Sequence, residues 1–469
     1  MMTRTIFIVQ LPFPSLDYFP EPRYFALEQE WFRVAAGKDF TIPKIGIWEL
    51  PWWMSWVSGA IEAGLATLGV EAEVRMVELS RVRCDLQSVM DALPESGVGD
   101  LFCFSPLTQN FLLAKKVATE LRGLRRKCAI GGPMATHATL DCFDHIFVGR
   151  IETQLPGFMQ WLAKALSVPE SSRPLTVESL AAEIDHSWAP PSFHTETNYL
   201  RTFTVHGCPF ACSFCADRLS GTEGLNKKLL LADLSSLASV FKQRTLLYIG
   251  DLTFGVLRPS MVQLKEVLNF LQQTFGKTFR LIVQTNAALI TPRFAKELVD
   301  LNVAVVEMGI ESGSPQAVRR TEKYRPSGSW LEERIRILHD HGIEVAGNIV
   351  VGLPDDAETE FLQTEEFIFR WRKKMWFHIY GFVPYPNTPL YERLVRDNRI
   401  IDWDTQKWCE GAECVFRPYN ISAEKANQWL RHLLAVAVGD QPDGSSRPKQ
   451  EANNSDLAGT PDPVKAALY

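Results

Sequence analysis

The strongest constraint on the fold of this chain is a regular alternation of short apolar segments with longer amphipathic ones. In residues 1–165 the short segments have the length and composition of buried strands, and helical stretches separate them. Strands that alternate with helices at this spacing indicate βαβ units and a parallel, doubly wound sheet. We therefore expect an α/β, Rossmann-like domain over residues 1–165, with strands at TIFIVQ, EAEVRMVEL, DLFCFSP, CAIGGP and DHIFVGR.

A second alternating series follows a segment rich in Ser, Pro and Glu, which is typical of a linker and covers residues 166–195. Residues 196–400 contain six predicted strands, fewer than the eight of a closed (β/α)8 barrel, so we expect a partial (β/α)6 barrel. The strands are predicted at 202–207, 245–251, 279–286, 303–311, 344–353 and 377–385. Catalytic side chains should follow these strands, where the loops converge.

Two further segments complete the predicted domain organisation. Residues 401–437 are predicted to form a small helical C-terminal cap. Residues 438–469 are polar and rich in Gly, Pro, Ser and Asp, a composition that predicts a disordered tail because it cannot bury enough apolar surface.

Composition argues against two classes of partner. The net charge of −6 over 469 residues provides no electrostatic basis for binding nucleic acid or an anionic membrane. The most apolar stretch, residues 45–70, is interrupted by Glu49, Pro51 and Glu62, so we expect a buried core helix there and no membrane span. The N-terminus lacks a signal-peptide pattern and the number of cysteines is odd, nine in all. We therefore expect a cytoplasmic, reducing location.

Three of the nine cysteines lie close together, in the segment TVHGCPFACSFCADR directly after a predicted strand. Cys208, Cys212 and Cys215 can converge on one metal centre without distant chain closure. Iron–sulfur clusters are normally held by four thiolates, so three ligands would leave one iron open to a further ligand. Two alternatives are a zinc site completed by His206 or a distant cysteine, and a four-ligand electron-transfer cluster that also uses Cys409 or Cys414.

The spacing Cys-x3-Cys-x-aromatic-Cys, with Phe214 before the last cysteine, resembles the signature of the radical S-adenosylmethionine (SAM) superfamily. The resemblance implies a [4Fe-4S] cluster on Cys208, Cys212 and Cys215 that binds SAM through its open iron. It also implies one-electron reduction of SAM to methionine and a 5′-deoxyadenosyl radical, which abstracts hydrogen from a small-molecule substrate. The electron would come from a reductant such as flavodoxin or ferredoxin.

Other strand ends in the second series carry motifs similar to those of the same superfamily. The resemblance implies that Gly250 and Asp251, in YIGDLTFG, contact the amino group of SAM, and that Glu311, in MGIESGS, points toward SAM. An alternative for Glu311 is a solvated loop carboxylate. Gly347, in GNIVVGLPDD, resembles the strand that packs on adenine, although an ordinary strand-to-loop turn accounts equally well for glycine there.

Two polar positions in the barrel have less specific roles. Gln284 ends the third strand and either faces the ribose of SAM or faces solvent. Asn387, in YGFVPYPNTPLYE, replaces the glycine of a similar stretch in the subfamily that has an N-terminal cobalamin-type domain. Because asparagine also tolerates positive φ, we expect a turn with a structural role.

The first domain resembles the cobalamin-binding-type domains that precede many radical SAM barrels. The resemblance rests on SPLTQN, IGGPMATHA and VGRIETQ, in that order and at βαβ spacing. Gly131 and Gly132 would let the backbone approach a bulky ligand closely. Ser105 and Thr108 would offer hydroxyls to its nucleotide tail. The same resemblance thus adds cobalamin to the candidate cofactors.

The first domain also departs from the cobalamin-binding pattern. The D-x-H-x-x-G element, whose histidine ligates cobalt, is absent after the first strand, and Arg150 and Ile151 replace residues of the usual GEGE. The tryptophans at positions 48, 52, 53 and 56 either cover a corrin face or belong to the core. The fold is therefore either a cobalamin site or a scaffold that has kept only the architecture.

Three functions follow from these patterns. The first is cobalamin-dependent C-methylation of a small molecule of the natural-product class. The second keeps the radical step without cobalamin, as a dehydratase, deoxygenase or cyclase in antibiotic biosynthesis. The third is a non-catalytic iron–sulfur electron carrier, which would not need a barrel mouth or a SAM-binding stretch.

Overall fold

The computed structural model of the protein describes residues 4–14, 52–80, 82–149, 151–166, 200–225, 227–240, 246–324, 329–409, 411, 413–441 and 447–448, with single positions between 23 and 33. The chain divides into two compact units. The first comprises residues 1–16 and 43–197, and the second comprises residues 17–42 and 198–468.

The first unit contains a five-stranded parallel sheet. Its strands are β1 (Arg4–Gln10), β2 (Ala72–Glu78), β3 (Leu101–Phe104), β4 (Lys127–Ile130) and β5 (His145–Ile146), in the order β2-β1-β3-β4-β5. Its helices are α1 (Trp52–Leu68), α2 (Leu86–Ala92), α3 (Phe111–Gly123) and α4 (Ile151–Ala165). This topology confirms the predicted doubly wound, Rossmann-like domain.

Each face of this sheet carries its own apolar core because successive side chains of a strand point to opposite faces. Phe7, Val9 and Phe102 pack with residues of α2 and α3. On the other face, Ile6 and Ile8 pack with residues of α1 and α4. Burial on both faces explains why the strands have continuous apolar sequences with little polar alternation.

Helix α1 occupies most of the apolar stretch at residues 45–70. Met54, Ile61 and Leu65 are at most 4% exposed in the core beneath the sheet, which confirms the predicted core helix over the described residues 52–68. Residues 45–51 lie outside the described residues. In the part of the chain that the structure describes, no helix is long and apolar enough to span a bilayer.

The second unit contains a six-stranded parallel sheet in which the strands follow chain order, as in a barrel. The strands are β6 (Leu200–Thr202), β9 (Leu246–Ile249), β10 (Arg280–Thr285), β11 (Val303–Glu311), β12 (Glu344–Val351) and β13 (Trp376–Gly381). All neighbours pair in parallel. The predicted partial (β/α)6 barrel is confirmed, and the carboxyl ends of its strands share one edge.

The helices of the second unit alternate with these strands. They are α5 (Lys227–Val240), α6 (Arg258–Phe275), α7 (Pro292–Asp300), α8 (Pro315–Arg320), α9 (Trp330–Asp340), α10 (Glu358–Trp371), α11 (Pro389–Arg396) and α12 (Ala423–Ala437). Several begin with a side-chain cap followed by proline. Thr291 caps α7, Ser314 caps α8 and Thr388 caps α11, each accepting a hydrogen bond from a backbone N–H of the first turn.

The first strand of the barrel differs from the sequence prediction of one strand over 202–207. The chain leaves the sheet after Thr202, and Val205–His206 (β7) pairs instead with Glu223–Gly224 (β8) in a short antiparallel ladder. The cause is the Asp251 carboxylate, which accepts the backbone N–H groups of Thr204 and Val205 that a sheet neighbour would otherwise bind. The cysteine-containing segment is therefore a loop between β7 and β8.

The last strand of the barrel is completed by a residue from far upstream. The hydroxyl of Tyr24 donates to the carbonyl of Phe377 at 2.8 Å and accepts from the N–H of Ile379 at 3.2 Å. These backbone groups belong to β13, which is the end of the sheet order. Tyr24 thus satisfies polar groups of an edge strand that would otherwise be open.

The C-terminal segment is less helical than predicted. Within residues 401–437, the described α-helix is α12 (Ala423–Ala437), preceded by a 3₁₀ turn at Thr405–Lys407. Trp429 of α12 stacks on Phe361 of α10 with ring centroids 5.3 Å apart. Arg447, in the segment predicted to be disordered, donates to the buried carboxylate of Glu365, so residues 447–448 contact the second unit. The rest of residues 442–469 lies outside the described part of the chain.

Candidate active site

Cys208, Cys212 and Cys215 lie on the loop that follows β7. Hydrogen bonds within the loop close it on itself. The N–H of Cys208 donates to the Ser220 hydroxyl at 3.0 Å, and that hydroxyl donates to the carbonyl of Asp217 at 2.8 Å. Leu219, which has a positive φ of 52°, donates its N–H to Phe210. These bonds, together with the short β7–β8 ladder at its base, give the loop a defined shape.

Backbone contacts also attach this loop to two later parts of the barrel. The N–H of Ser213 donates to the carbonyl of Thr321, at the end of α8, at 2.9 Å. The carbonyl of Ser213 accepts from the N–H of Leu390, in the first turn of α11, at 3.2 Å. Ser213 lies between the second and third cysteines, so the middle of the motif is held from both sides.

The three cysteines are free thiols. Burial is the main cause that raises the pKa of Cys212, and it raises the pKa of Cys215 to about 12. The charge of Cys208 further raises the pKa of both thiols. Without a cation these thiols stay protonated at neutral pH, whereas a bound metal centre favours the thiolate.

Asp251 lies at the end of β9 and is 1% exposed. Its carboxylate accepts the N–H of Thr204 at 2.7 Å and that of Val205 at 3.0 Å, and it also accepts the hydroxyl of Thr204. Burial raises the pKa of Asp251 to about 6, opposed by these hydrogen bonds. The structure thus gives Asp251 a role in holding the chain that leads into Cys208, and its oxygens are already occupied by protein donors.

Thr253 follows two residues later in the same loop and is 3% exposed. Its hydroxyl oxygen lies 3.5 Å from the Cys208 sulfur, within hydrogen-bonding distance for sulfur. The loop after β9 therefore contacts the cysteine loop through Thr253 and the chain just before that loop through Asp251.

Glu311 ends β11 in a left-handed conformation, with φ of 65°, where the pairing with β12 shifts register. Its side chain is 4% exposed and forms an ion pair with Lys323, which is 14% exposed. Positive φ is unusual for glutamate, and such strain is concentrated at functional sites. The alternative interpretation of Glu311, as a solvated loop carboxylate, does not fit this burial.

Lys323 connects Glu311 to the cysteine loop. The charge of Lys323 lowers the pKa of Cys212 against the effect of burial, so the ammonium group lies near this thiol. Glu311 in turn raises the pKa of Lys323, which burial alone would lower. Next to Lys323, the Tyr324 hydroxyl donates to the carbonyl of Gly309 at 2.8 Å and fixes the end of β11.

The two predicted glycines of the barrel have packing roles in the structure. A Cβ at Gly250 would lie 2.5 Å from Arg201 Nε and 2.7 Å from the Phe203 ring. A Cβ at Gly347 would lie 2.4 Å from Ile310 Cδ1. A Cβ at either position would therefore force neighbouring side chains to move: Arg201 and Phe203 at Gly250, and the flexible end of Ile310 at Gly347.

Three other predicted positions are also located. Phe214 is partly buried and packs against an apolar core that includes Leu390 and Trp408. Gln284 is half-buried near the end of β10, and its carbonyl accepts the N–H of Phe254 at 2.7 Å. Asn387 has φ of 64°, as expected for a turn residue.

In the first unit, the predicted ligand-binding motifs lie on loops at the carboxyl edge of the sheet. Gly132 has φ of 78°, and a Cβ there would lie 2.2 Å from the Ser105 hydroxyl oxygen. A Cβ at Gly131 would make only ordinary contact, with the Phe147 carbonyl oxygen at 3.9 Å, so no neighbouring residue requires glycine there. Thr108 is 6% exposed and its hydroxyl lies 3.5 Å from the Met134 sulfur, inside the protein.

Two large apolar side chains are exposed at the same edge. Leu107 is 43% exposed and Val148 is 51% exposed. Among the tryptophans of the 48–56 segment, Trp53 donates its indole N–H to the Gln10 side chain at 2.8 Å and packs on the core beneath the sheet. Trp48 and the side chains of Trp52 and Trp56 lie outside the described residues, as does Arg150.

Sequence reasoning missed Lys323, Thr253 and Thr204. No local spacing marks Lys323, because it lies twelve positions after Glu311 in a segment without a recognisable motif. Thr253 could have been suspected from its place in a loop directly after a strand of the barrel. The contact of Thr253 with Cys208, 45 residues away in the chain, could not have been predicted from the sequence.

The alternative of a single zinc ion requires sulfurs about 3.8 Å apart, since Zn–S bonds are about 2.3 Å long in a tetrahedron. Within the described ranges, no three His, Cys, Asp or Glu side chains are grouped so that they could hold a metal ion. His206, the candidate for a fourth zinc ligand, stacks on Phe203, with ring centroids 5.8 Å apart.

The other alternative is a four-thiolate cluster that also uses Cys409 or Cys414. The thiols of these two cysteines donate to backbone carbonyls of their own segment, those of Gln406 and Phe416.

Comparison with known proteins agrees with this geometry. Residues 202–368 match the family described as the radical SAM superfamily. The chain is 22% identical over 295 residues to the hopanoid C-2 methylase of Rhodopseudomonas palustris, which covers 60% of this chain and 54% of that protein. It is 23% identical over 371 residues to the bacteriochlorophyllide d C-12(1)-methyltransferase of Chlorobaculum tepidum, which covers 71% and 74%. The chain thus spans about half the length of the first of these relatives.

The fold is similar to that of TsrM from Kitasatospora setae, a radical SAM methyltransferase whose structure has cobalamin and a [4Fe-4S] cluster bound. The TM-score is 0.58 at 12% identity, and the alignment covers 98% of this chain and 94% of that one. Both units therefore have counterparts, in the same order, in one solved protein.

Proposed function

The chain belongs to the radical SAM superfamily, and we propose that it is an enzyme that cleaves SAM on a [4Fe-4S] cluster for C-methylation of a small molecule. One observation carries the proposal. A closed loop with three free cysteines lies at the start of a six-stranded parallel barrel, next to the buried pair Lys323–Glu311.

The cysteine loop fits a cluster with three protein ligands. The thiols are free, hydrogen bonds to Ser220 and Thr321 hold the loop in shape, and Asp251 holds the strand that precedes it. When bound, a [4Fe-4S] cluster supplies the electron that cleaves SAM into methionine and a 5′-deoxyadenosyl radical. The chain contributes three thiolates and a pre-organised loop, so little ordering remains to be done on assembly.

Lys323 and Glu311 fit the charged end of SAM. The amino acid part of SAM has a carboxylate and an ammonium group, and this pair offers a cation and an anion in a buried setting near Cys212. In a partly desolvated site, charged side chains bind ligand groups of opposite charge selectively, because few water molecules compete for those groups. We propose that Lys323 attracts the carboxylate of SAM and Glu311 its positively charged or hydroxyl groups. The surroundings of this pair in the barrel include Gly250, Gly347, Gln284 and Phe214.

The carboxyl edge of the first unit fits a bulky partly apolar ligand such as cobalamin. Gly131 is not required by the packing of neighbouring side chains, and Leu107 and Val148 expose apolar surface at the same edge. Of the two hydroxyls predicted to bind a nucleotide tail, that of Ser105, beside Gly132, is the better candidate, because the Thr108 hydroxyl points into the core. When bound, methylcobalamin supplies the methyl group. Relatives named as methylases, and a similar fold with cobalamin bound, favour methyl transfer over dehydration or cyclisation.

The first test is cluster assembly. Anaerobic reconstitution should give broad visible absorption and four irons per chain, and reduction with dithionite should turn SAM into 5′-deoxyadenosine. The Cys212→Ala variant should lose that product, whereas Cys409→Ala and Cys414→Ala should keep both iron and activity. Retention of SAM cleavage in Cys212→Ala would overturn the site, and loss of iron in Cys409→Ala or Cys414→Ala would support a four-thiolate cluster.

The second test separates methyl transfer from the alternative radical reactions. Protein reconstituted with hydroxocobalamin and passed through a desalting column should keep corrin absorption bands in proportion to protein. If no corrin remains bound while SAM cleavage persists, the cobalamin-dependent reaction is excluded and a dehydratase or cyclase becomes the better description.

A further inference from the structure

The hydrogen bond between Thr253 and Cys208 can have only one donor once Cys208 ligates iron. Thr253 is 3% exposed, and the sulfur of Cys208 lies 3.5 Å from its hydroxyl oxygen. A cysteine that ligates iron is a thiolate, which has no hydrogen to donate. In the cluster-bound protein the Thr253 hydroxyl must therefore be the donor and the Cys208 sulfur the acceptor.

This hydrogen bond is held by the fold. Asp251, two residues before Thr253, accepts the N–H groups of Thr204 and Val205, shortly before Cys208. The N–H of Cys208 is fixed in turn by Ser220 at 3.0 Å. The Asp251 carboxylate thus joins the chain just before Thr253 to the chain just before Cys208.

The three cysteines are consequently not equivalent. Cys208 has a neutral hydroxyl donor at its sulfur, Cys212 has the nearby charge of Lys323, and the pKa of Cys215 is dominated by burial. Hydrogen bonds to cluster sulfurs are among the factors that set the reduction potential of iron–sulfur clusters.

We propose that Thr253 is a positioning residue that tunes the cluster through a hydrogen bond to the Cys208 thiolate and raises its reduction potential. The inference rests on the proposed [4Fe-4S] cluster. The reduced cluster carries one more negative charge than the oxidised one, and a donor at its sulfur stabilises the more negative state. Thr253 therefore makes the one-electron reduction that precedes SAM cleavage easier for a weak biological reductant.

The test is an electrochemical titration of reconstituted protein, monitored by electron paramagnetic resonance, without SAM or substrate. Thr253→Val removes the hydroxyl and keeps the shape, and the cluster should become about tenfold harder to reduce, which is about 59 mV for a one-electron couple. Thr253→Ser keeps the donor and should restore the wild-type potential. Thr405→Val, which removes a hydroxyl buried elsewhere in the second unit, should leave the potential unchanged.

The outcomes are distinguishable from failure of the cluster itself. If wild type assembles no cluster, the proposed function fails. If all variants assemble a cluster with equal potentials, the Thr253 inference alone is overturned, as it is if Thr253→Ser shifts as far as Thr253→Val. Should Thr253→Val not fold, resonance Raman spectra of wild type in H2O and D2O provide a second readout. The Fe–Sγ stretching bands should shift in D2O, and identical bands would contradict the hydrogen bond.

Discussion

Lys323 and Glu311 form a buried ion pair at the end of strand β11, with 14% and 4% of their side chains exposed. The glutamate has positive φ and the lysine lies near Cys212. A buried pair is costly to desolvate, so its retention suggests a use other than stability. Here the use we propose is recognition of the charged end of SAM.

Replacing Lys323 with Met should weaken SAM binding by about tenfold to one hundredfold, because a hydrogen bond to a charged group contributes about 1.5–3 kcal/mol. Isothermal calorimetry on reconstituted protein would measure the affinity. Glu311→Gln keeps the shape of the partner and tests the other half of the pair. If the double variant binds SAM as weakly as the sum of both single losses, the two residues act independently and not as one site.

Replacing Asp251 with Ala should destabilise the second unit by about 1–3 kcal/mol, because the backbone N–H groups of Thr204 and Val205 both lose their acceptor, the Oδ1 of Asp251. We also expect lower iron occupancy, since the chain that leads to Cys208 loses its anchor. Asp100→Ala is the matched control. Asp100 also accepts two backbone N–H groups, those of Thr5 and Gly97, but lies in the first unit. Its variant should lose stability in urea titration without losing iron.

Replacing Gly250 with Ala should destabilise the barrel by about 1–3 kcal/mol, which is typical of overpacking. The added Cβ would lie 2.5 Å from Arg201 Nε and 2.7 Å from the Phe203 ring, so side chains next to β6 must move. Gly59→Ala is the control, because nothing lies within 4 Å of its added Cβ and its helix should gain about 0.5–1 kcal/mol. Thermal unfolding should therefore show opposite shifts, and equal shifts would contradict the packing role of Gly250.

Asp356 should make stability depend on pH. Burial raises its pKa from 3.8 to about 7, although Arg320 at 3.1 Å and the N–H of Leu353 at 3.0 Å favour the ionised form. Between these values the folded chain keeps a proton that the unfolded chain releases. The contribution of Asp356 to stability is thus fully present below pH 3.8 and is lost as pH rises toward 7, by up to about 1.4 kcal/mol per unit.

The comparison that isolates this effect uses Asp356→Asn. The unfolding free energy of wild type relative to the variant should fall between pH 4 and pH 7 in urea titrations. Arg320 keeps Glu360 as a partner at 2.9 Å in the variant, so the guanidinium is not left alone. A constant difference over this range would show that Asp356 has the same pKa in both states.

Much of the architecture was predictable because it follows from local patterns. Apolar segments at regular spacing predicted both parallel sheets, and a composition shift near residue 166 separated the two series. Three cysteines within eight residues predicted the loop that could hold a cluster, since their proximity in the chain guarantees proximity in space. The break of the first barrel strand after Thr202 was not predictable, because it depends on a carboxylate from the next strand.

The sequence by itself therefore determined the α/β class, the order of the two domains and the three-cysteine motif. Only the tertiary structure decided which residues surround that motif. Parallel strands bring their carboxyl ends to one edge, so four residues that lie 43 to 115 positions after Cys208 come to the cysteine motif. Asp251 holds the chain just before the cysteine loop, and Thr253, Glu311 and Lys323 lie beside the loop itself. Burial then changes their chemistry, because a carboxylate or a lysine removed from water needs a partner that the linear sequence does not name.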